Sequence, residues 1–130
     1  MDDRARVIDA IRGSWSAETS STPDEWSTEV PAKGQCDASS FVAWEYLGGD
    51  LVLGQVFADG AQTEHHYWNR IDGEDLDLTG EQFTNGEDIR EIATLGSEQL
   101  RTQQGSMKPD VASRIGVMRS LVGERLGATE

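Results

Sequence analysis

Apolar positions along the chain change their period several times, and each change marks an element. Val7, Ile8 and Ile11 recur at helical spacing, with Asp2 or Asp3 available as N-cap and Gly13 as terminator, so a short amphipathic helix is expected over residues 2–12. Residues 14–34 lose any period and are rich in Ser, Thr, Pro and Gly. Trp15 and Trp26 lie within them, which predicts a long loop tied to the core by its two tryptophans. The run CDASSFVAWEYL (36–47) lacks Gly and Pro and then meets Gly48-Gly49, the pattern of a helix stopped by glycine. The chain next turns β-like. LVLGQVF (51–57) reads as an apolar strand and Asp59-Gly60 as a turn. HHYWNRI (65–71) and EDLDLT (74–79) flank Asp72-Gly73, a strong short-range hairpin signal. Residues 80–108 are polar, with a helix expected around 87–103. Val111, Ile115, Met118, Val122 and Leu126 then repeat every three or four residues ahead of Gly127, predicting a last helix over 110–126. Helices around a small antiparallel sheet make the class α+β.

Composition narrows the function. The 130 residues suit a single domain spanning 1–130. Lys plus Arg number 11 against 24 Asp plus Glu, a formal charge of −13. That excludes a phosphate-tracking nucleic-acid binder and argues against anionic membrane surfaces, because both depend on Lys and Arg. Cys36 is the one cysteine, so no internal disulfide forms and a reducing compartment is expected. No apolar leader and no stretch near ~18 apolar residues stands out. The expectation is a soluble, cytoplasmic protein.

Cys36 begins the second predicted helix, after Pro31-Ala-Lys-Gly34-Gln35. A helix N-terminus carries about half a positive charge and outward-pointing N–H groups. Both favour thiolate, and the same N–H groups can bind an oxyanion forming on an attacked carbonyl. The competing reading is a small hydrophobe packed under the loop. Asp37 opposes ionisation of the thiol, so a nearby base is needed.

The hairpin offers one. With a two-residue turn at Asp72-Gly73, Arg70 opposes Asp75, Trp68 opposes Asp77 and His66 opposes Thr79. Alternation then puts His66, Trp68 and Arg70 on one face with Asp75, Asp77 and Thr79, and Asp77 becomes the diagonal neighbour of His66. His65, Tyr67, Asn69 and Ile71, beside Leu76 and Leu78, read as a packed surface. A one-residue slip would separate His66 from Asp77. Taken singly, His66 also reads as a half-buried strand histidine and Asp77 as a partner of Arg70. Trp68 either walls the site or belongs to the core. Cys36, His65, His66 and Asp77 are all zinc-capable. Adjacent strand residues point apart, however, and no C-x-x-C or H-x-x-x-H spacing occurs, so no metal and no cofactor is expected.

The segments Gly34-Gln35-Cys36, Gly48-Gly49, His66-Tyr67-Trp68-Asn69-Arg70-Ile71 and Asp77-Leu78-Thr79 with Glu81-Gln82-Phe83 resemble the YunG-like family of small bacterial proteins. The resemblance covers about residues 14–83. It implies a compact papain-like or transglutaminase-like core: a helix bearing the cysteine, then an antiparallel sheet bearing histidine and acid. Carried over by position, Cys36 matches the nucleophile, His66 the base and Asp77 the group that orients it. Gln35 corresponds to the glutamine amide that papain-like enzymes use as an oxyanion donor, although a loop contact explains it equally well. Asp37 and His65 depart from the pattern, and the second leaves His65 as an alternative histidine. The functional expectation is a thiol-dependent amidase or peptidase-type acyl-transfer enzyme acting on a peptide or amide substrate. The alternative is a papain-like binding module without turnover.

Overall fold

The computed structural model describes residues 3–80, 83, 86–103 and 107–128. Helix α1 (Asp3–Gly13) leads through one 3-10 turn (Ala17–Thr19) to α2 (Cys36–Leu47). Strands β1 (Asp50–Ala58), β2 (Ala61–Ile71), β3 (Glu74–Leu76) and β4 (Asp88–Leu95) follow, then α3 (Ser97–Gln103) and α4 (Pro109–Ala128). The class is α+β, with one four-stranded sheet in the order β3-β2-β1-β4. All three ladders are antiparallel.

Two Asp-Gly turns set the register. Asp72 and Gly73 both take positive φ (53° and 79°), the geometry that matches the twist of a two-residue hairpin. Ile71 therefore pairs with Glu74, Arg70 with Asp75 and Asn69 with Leu76. The ladder ends at Leu76, shorter than the strand expected over 74–79. From Asp77 the chain leaves the sheet, and Leu78 turns into the main core.

The helix expected around 87–103 is corrected. Residues 88–95 form β4, and helix is confined to Ser97–Gln103. The β-branched Ile89, Ile92 and Thr94 suit a strand, and β1 offers an edge to pair with. Tertiary pairing thus overrides a weak local preference. The loop over 14–34 is also corrected in part. Trp15 ties it to α2 by donating its indole N–H to Ser39 Oγ at 2.8 Å. Trp26 instead donates to Pro31 O at 2.9 Å and closes the loop on itself.

The main core lies between the helices and one face of the sheet. Val7 and Ile11 of α1, Phe41, Val42 and Trp44 of α2, Leu51 of β1, and Ile115, Met118 and Val122 of α4 are among its buried members. Asn69 faces the same way, and its Nδ2 donates to Ser40 O of α2 at 2.9 Å. The opposite face carries a smaller buried patch, Val52, Val56 and Trp68, together with His66. Beside it Arg70 is held by Asp75 of β3 and Glu91 of β4.

Candidate functional site

The site has two halves, one on each side of β2. The first is the His66–Asp77 pair. Alternation along β2 turns His66 away from the helices, where it is fully buried. Its Nε2–H donates to the Asp77 carboxylate, 3.0 and 2.9 Å from the two oxygens. A carboxylate accepting at Nε2 fixes the proton there and makes Nδ1 the basic nitrogen. Because Asp75 and Glu91 engage Arg70, Asp77 is left for the histidine. The Thr79 amide donates to Asp77 Oδ1 at 3.3 Å and helps fix the carboxylate.

Packing holds the imidazole in place. Trp68 stacks on it at 5.7 Å between ring centroids, and Phe83 meets it edge-on at 4.7 Å. Gly54 on β1 pairs directly with His66, and a Cβ there would lie 2.7 Å from the Trp68 ring. Only glycine leaves room for that indole. Glu81 and Gln82, which accompany Phe83 in the family resemblance, lie outside the described residues.

The second half is the first turn of α2. Cys36 opens the helix and is partly exposed. Tyr67 of β2 lines the same cleft as Cys36. Cys36 lies beside the stretch of β2 that carries Thr63, Glu64, His65 and Tyr67, past the point where β3 stops pairing at Asn69. Charges from both faces reach it. Burial, chiefly, pushes the thiol up to about 12; Asp37, Glu64 and Asp77 add to the rise, and only the Tyr67 N–H works against it. At neutral pH the resting group is the thiol.

Gln35 does not point at this turn. It is fully buried, its Oε1 accepts from Thr19 Oγ1 at 2.7 Å, and its Nε2 donates to Ser16 O at 2.9 Å. It fastens the capping-box turn of the preceding loop to the start of α2. Asp37, whose charge opposes thiolate formation, is gripped by Arg114 of α4 at 2.7 and 2.8 Å. Nothing in the sequence signals that partner, 77 residues away.

A cleft of about 450 Å³ runs past Cys36, with Lys33, Asp37, Glu64, His65 and Tyr67 in its wall. It adjoins a depression of about 550 Å³ that shares Lys33, Thr63 and Glu64 and reaches Phe83. Gln35, His66 and Trp68 are not among the lining residues of either. His65 faces the cleft, exposed, 3.4 Å from Gln62 Nε2. His66 and Asp77 are thus brought together, Cys36 lies in the cleft beside the same strand, Trp68 packs against the histidine and Gln35 anchors the loop. Tyr67, Phe83, Gly54 and Arg114 complete the surroundings; the first two lie in segments that carry the family resemblance, and no motif marks the other two. Among the described residues, no group of three His, Cys, Asp or Glu is placed to hold a metal ion, and no helix is long and apolar enough to cross a membrane.

Comparison with known proteins adds family membership. The chain is 33% identical over 73 residues to a protein of Bacillus subtilis (strain 168) named "Uncharacterized protein YunG", and the match spans 56% of each chain. It therefore covers about half the length of that relative. No solved structure matches. The YunG protein family model matches residues 3–126, nearly the whole described chain, and the protein belongs to the YunG family.

Proposed function

We propose that this protein is a thiol-dependent acyl-transfer enzyme acting on amide or peptide bonds, built on a papain-like or transglutaminase-like core. One observation carries the reading: Cys36 opens α2 in a cleft walled by His65 and Tyr67 of β2, and the residue between those two, His66, is buried with its Nε2 fixed by a carboxylate. A cysteine on a helix N-terminus followed by histidine and acid on an antiparallel sheet is the chain order of those cores.

In this reading the thiol is uncharged at rest and is activated during attack. Sulfur adds to the substrate carbonyl carbon as the thiol proton passes to His66 Nδ1. Asp77 stabilises the imidazolium that results. The tetrahedral intermediate collapses, the C–N bond breaks, and His66 returns the proton to the leaving amine. Water then adds to the thioester, its proton passing to His66, and the acid and free thiol are released. With the Gln35 amide occupied, backbone N–H groups of the first turn of α2 serve as the oxyanion donors.

The test uses p-nitrophenyl acetate as an activated acyl donor. The expected result is release of p-nitrophenolate with one acetyl group on Cys36, read by intact mass. His66→Ala should slow acetylation about 100-fold. Equal rates in the two proteins, or no acetyl on Cys36, overturns the proposal. A second reading, an interaction module without turnover, is favoured by the elevated thiol and the sealed imidazole. It requires Cys36→Ser to behave like wild type in every binding and cellular assay.

A further inference from the structure

The Arg114–Asp37 pair joins α4 to the cysteine turn, and the mechanism above does not use it. The guanidinium engages both oxygens of Asp37, at 2.7 and 2.8 Å. Its side chain is only 10% exposed and that of Asp37 23%. Two-point contacts of this kind are geometrically specific and, when partly buried, resist screening by salt. The carboxylate also accepts from the Ala38 amide at 2.7 Å, so the pair fixes the first turn of α2. Asp110, one turn earlier on α4, lies 3.8 Å from the same guanidinium.

Resting on the catalytic reading of Cys36, we propose that Arg114 is a positioning residue for the thiol: it holds Asp37 in a two-point ion pair that offsets this carboxylate's charge at the neighbouring sulfur and orients the turn that carries it. The other charged or titratable groups around Cys36 are Glu64, His65, His66 and Tyr67 on β2, Asp77 after β3, and Glu25 and Lys33 in the preceding loop. Three are carboxylates against one lysine, so an unpaired Asp37 would add to a field that already disfavours thiolate.

The experiment measures the rate constant for alkylation of Cys36 by iodoacetamide, a neutral electrophile, between pH 7 and pH 10. The single cysteine makes the reading unambiguous. Arg114→Met should slow alkylation at a given pH about three- to tenfold, as expected for an opposite charge removed from near an ionising group. The double variant Asp37→Asn/Arg114→Met, which leaves no unpaired charge, should return to within about twofold of wild type. An unchanged rate in Arg114→Met, or a double variant as slow as the single, overturns the assignment. Circular dichroism checks folding. If Arg114→Met does not fold, Asp37→Asn alone carries the test, and it must alkylate several-fold faster than wild type. Failure of Cys36 to acetylate would sink the catalytic reading alone, because alkylation forms no oxyanion and needs no substrate.

Discussion

The two halves of the site differ in how they are held. His66 and Asp77 are 11 residues apart and meet because one hairpin turn and the alternation of one strand bring them together. The cysteine turn is assembled from a distance. Gln35 reaches back 16 and 19 residues, Trp15 reaches forward 24 to Ser39, and Asp37 depends on an arginine 77 residues on. The orienting pair is thus a property of local backbone geometry, and the nucleophile's surroundings are a property of the whole tertiary structure. Perturbations should therefore divide cleanly between them.

The largest effect is expected on the hairpin half. Asp77→Asn keeps the shape of the side chain but cannot accept from Nε2–H at both atoms, and it removes the charge that stabilises an imidazolium. Acetylation of Cys36 by p-nitrophenyl acetate should fall about 100-fold or more, while Cys36 alkylation stays within a few-fold. Wild-type acetylation by this variant would reduce the pair to a packing feature. A smaller effect follows from crowding the same half. Gly54→Ala places a methyl group 2.7 Å from the Trp68 ring, and overpacking of this kind costs about 1–3 kcal/mol. Urea denaturation should show that loss, and an unchanged midpoint would mean that the indole has room to move.

The cysteine half is probed by pH. Burial holds the Cys36 thiol near 12 in the folded chain against an ordinary value of 9.0. The folded state therefore keeps a proton that the unfolded state releases. That stabilisation is complete below pH 9 and is lost as pH rises toward 12, at a limiting slope of about 1.4 kcal/mol per pH unit. Wild type should accordingly lose stability relative to Cys36→Ala between pH 9 and pH 11, as read by thermal denaturation at each pH. Parallel curves would mean that the thiol ionises normally. The smallest effect is expected from Trp15→Phe, which removes the indole donor to Ser39. It should cost about 1 kcal/mol and speed amide exchange in the first turns of α2 without changing exchange in β2. Equal acceleration in both would show that the halves are coupled.

This division also explains what could be read from the chain alone. The helix over 36–47, the Asp72-Gly73 turn and the shared face of His66 and Asp77 follow from period and turn chemistry, which are local. The C-terminal helix follows from Val111, Ile115, Met118, Val122 and Leu126 for the same reason. Residues 88–95 were not legible as a strand, because their charges interrupt the alternation and their pairing partner β1 lies some 35 residues upstream. Asp37 looked only like an obstacle to thiolate formation, since its arginine comes from another helix. Gln35 offered two readings, and the contacts that occupy its amide come from Ser16 and Thr19 in an otherwise featureless loop. The cleft beside Cys36 joins β2 to the loop before α2, and no residue type announces that meeting.

The Asp72-Gly73 turn carries a consequence for how such chains diversify. Lengthening it by one residue would invert every side chain of the returning segment relative to β2 and carry Asp77 to the helix side, away from the imidazole. Lengthening it by two would restore the original facing. Among kindred sequences that retain both the histidine and the acid, insertions and deletions at this corner should come in even numbers, a rule that any collection of them can be checked against without a single measurement.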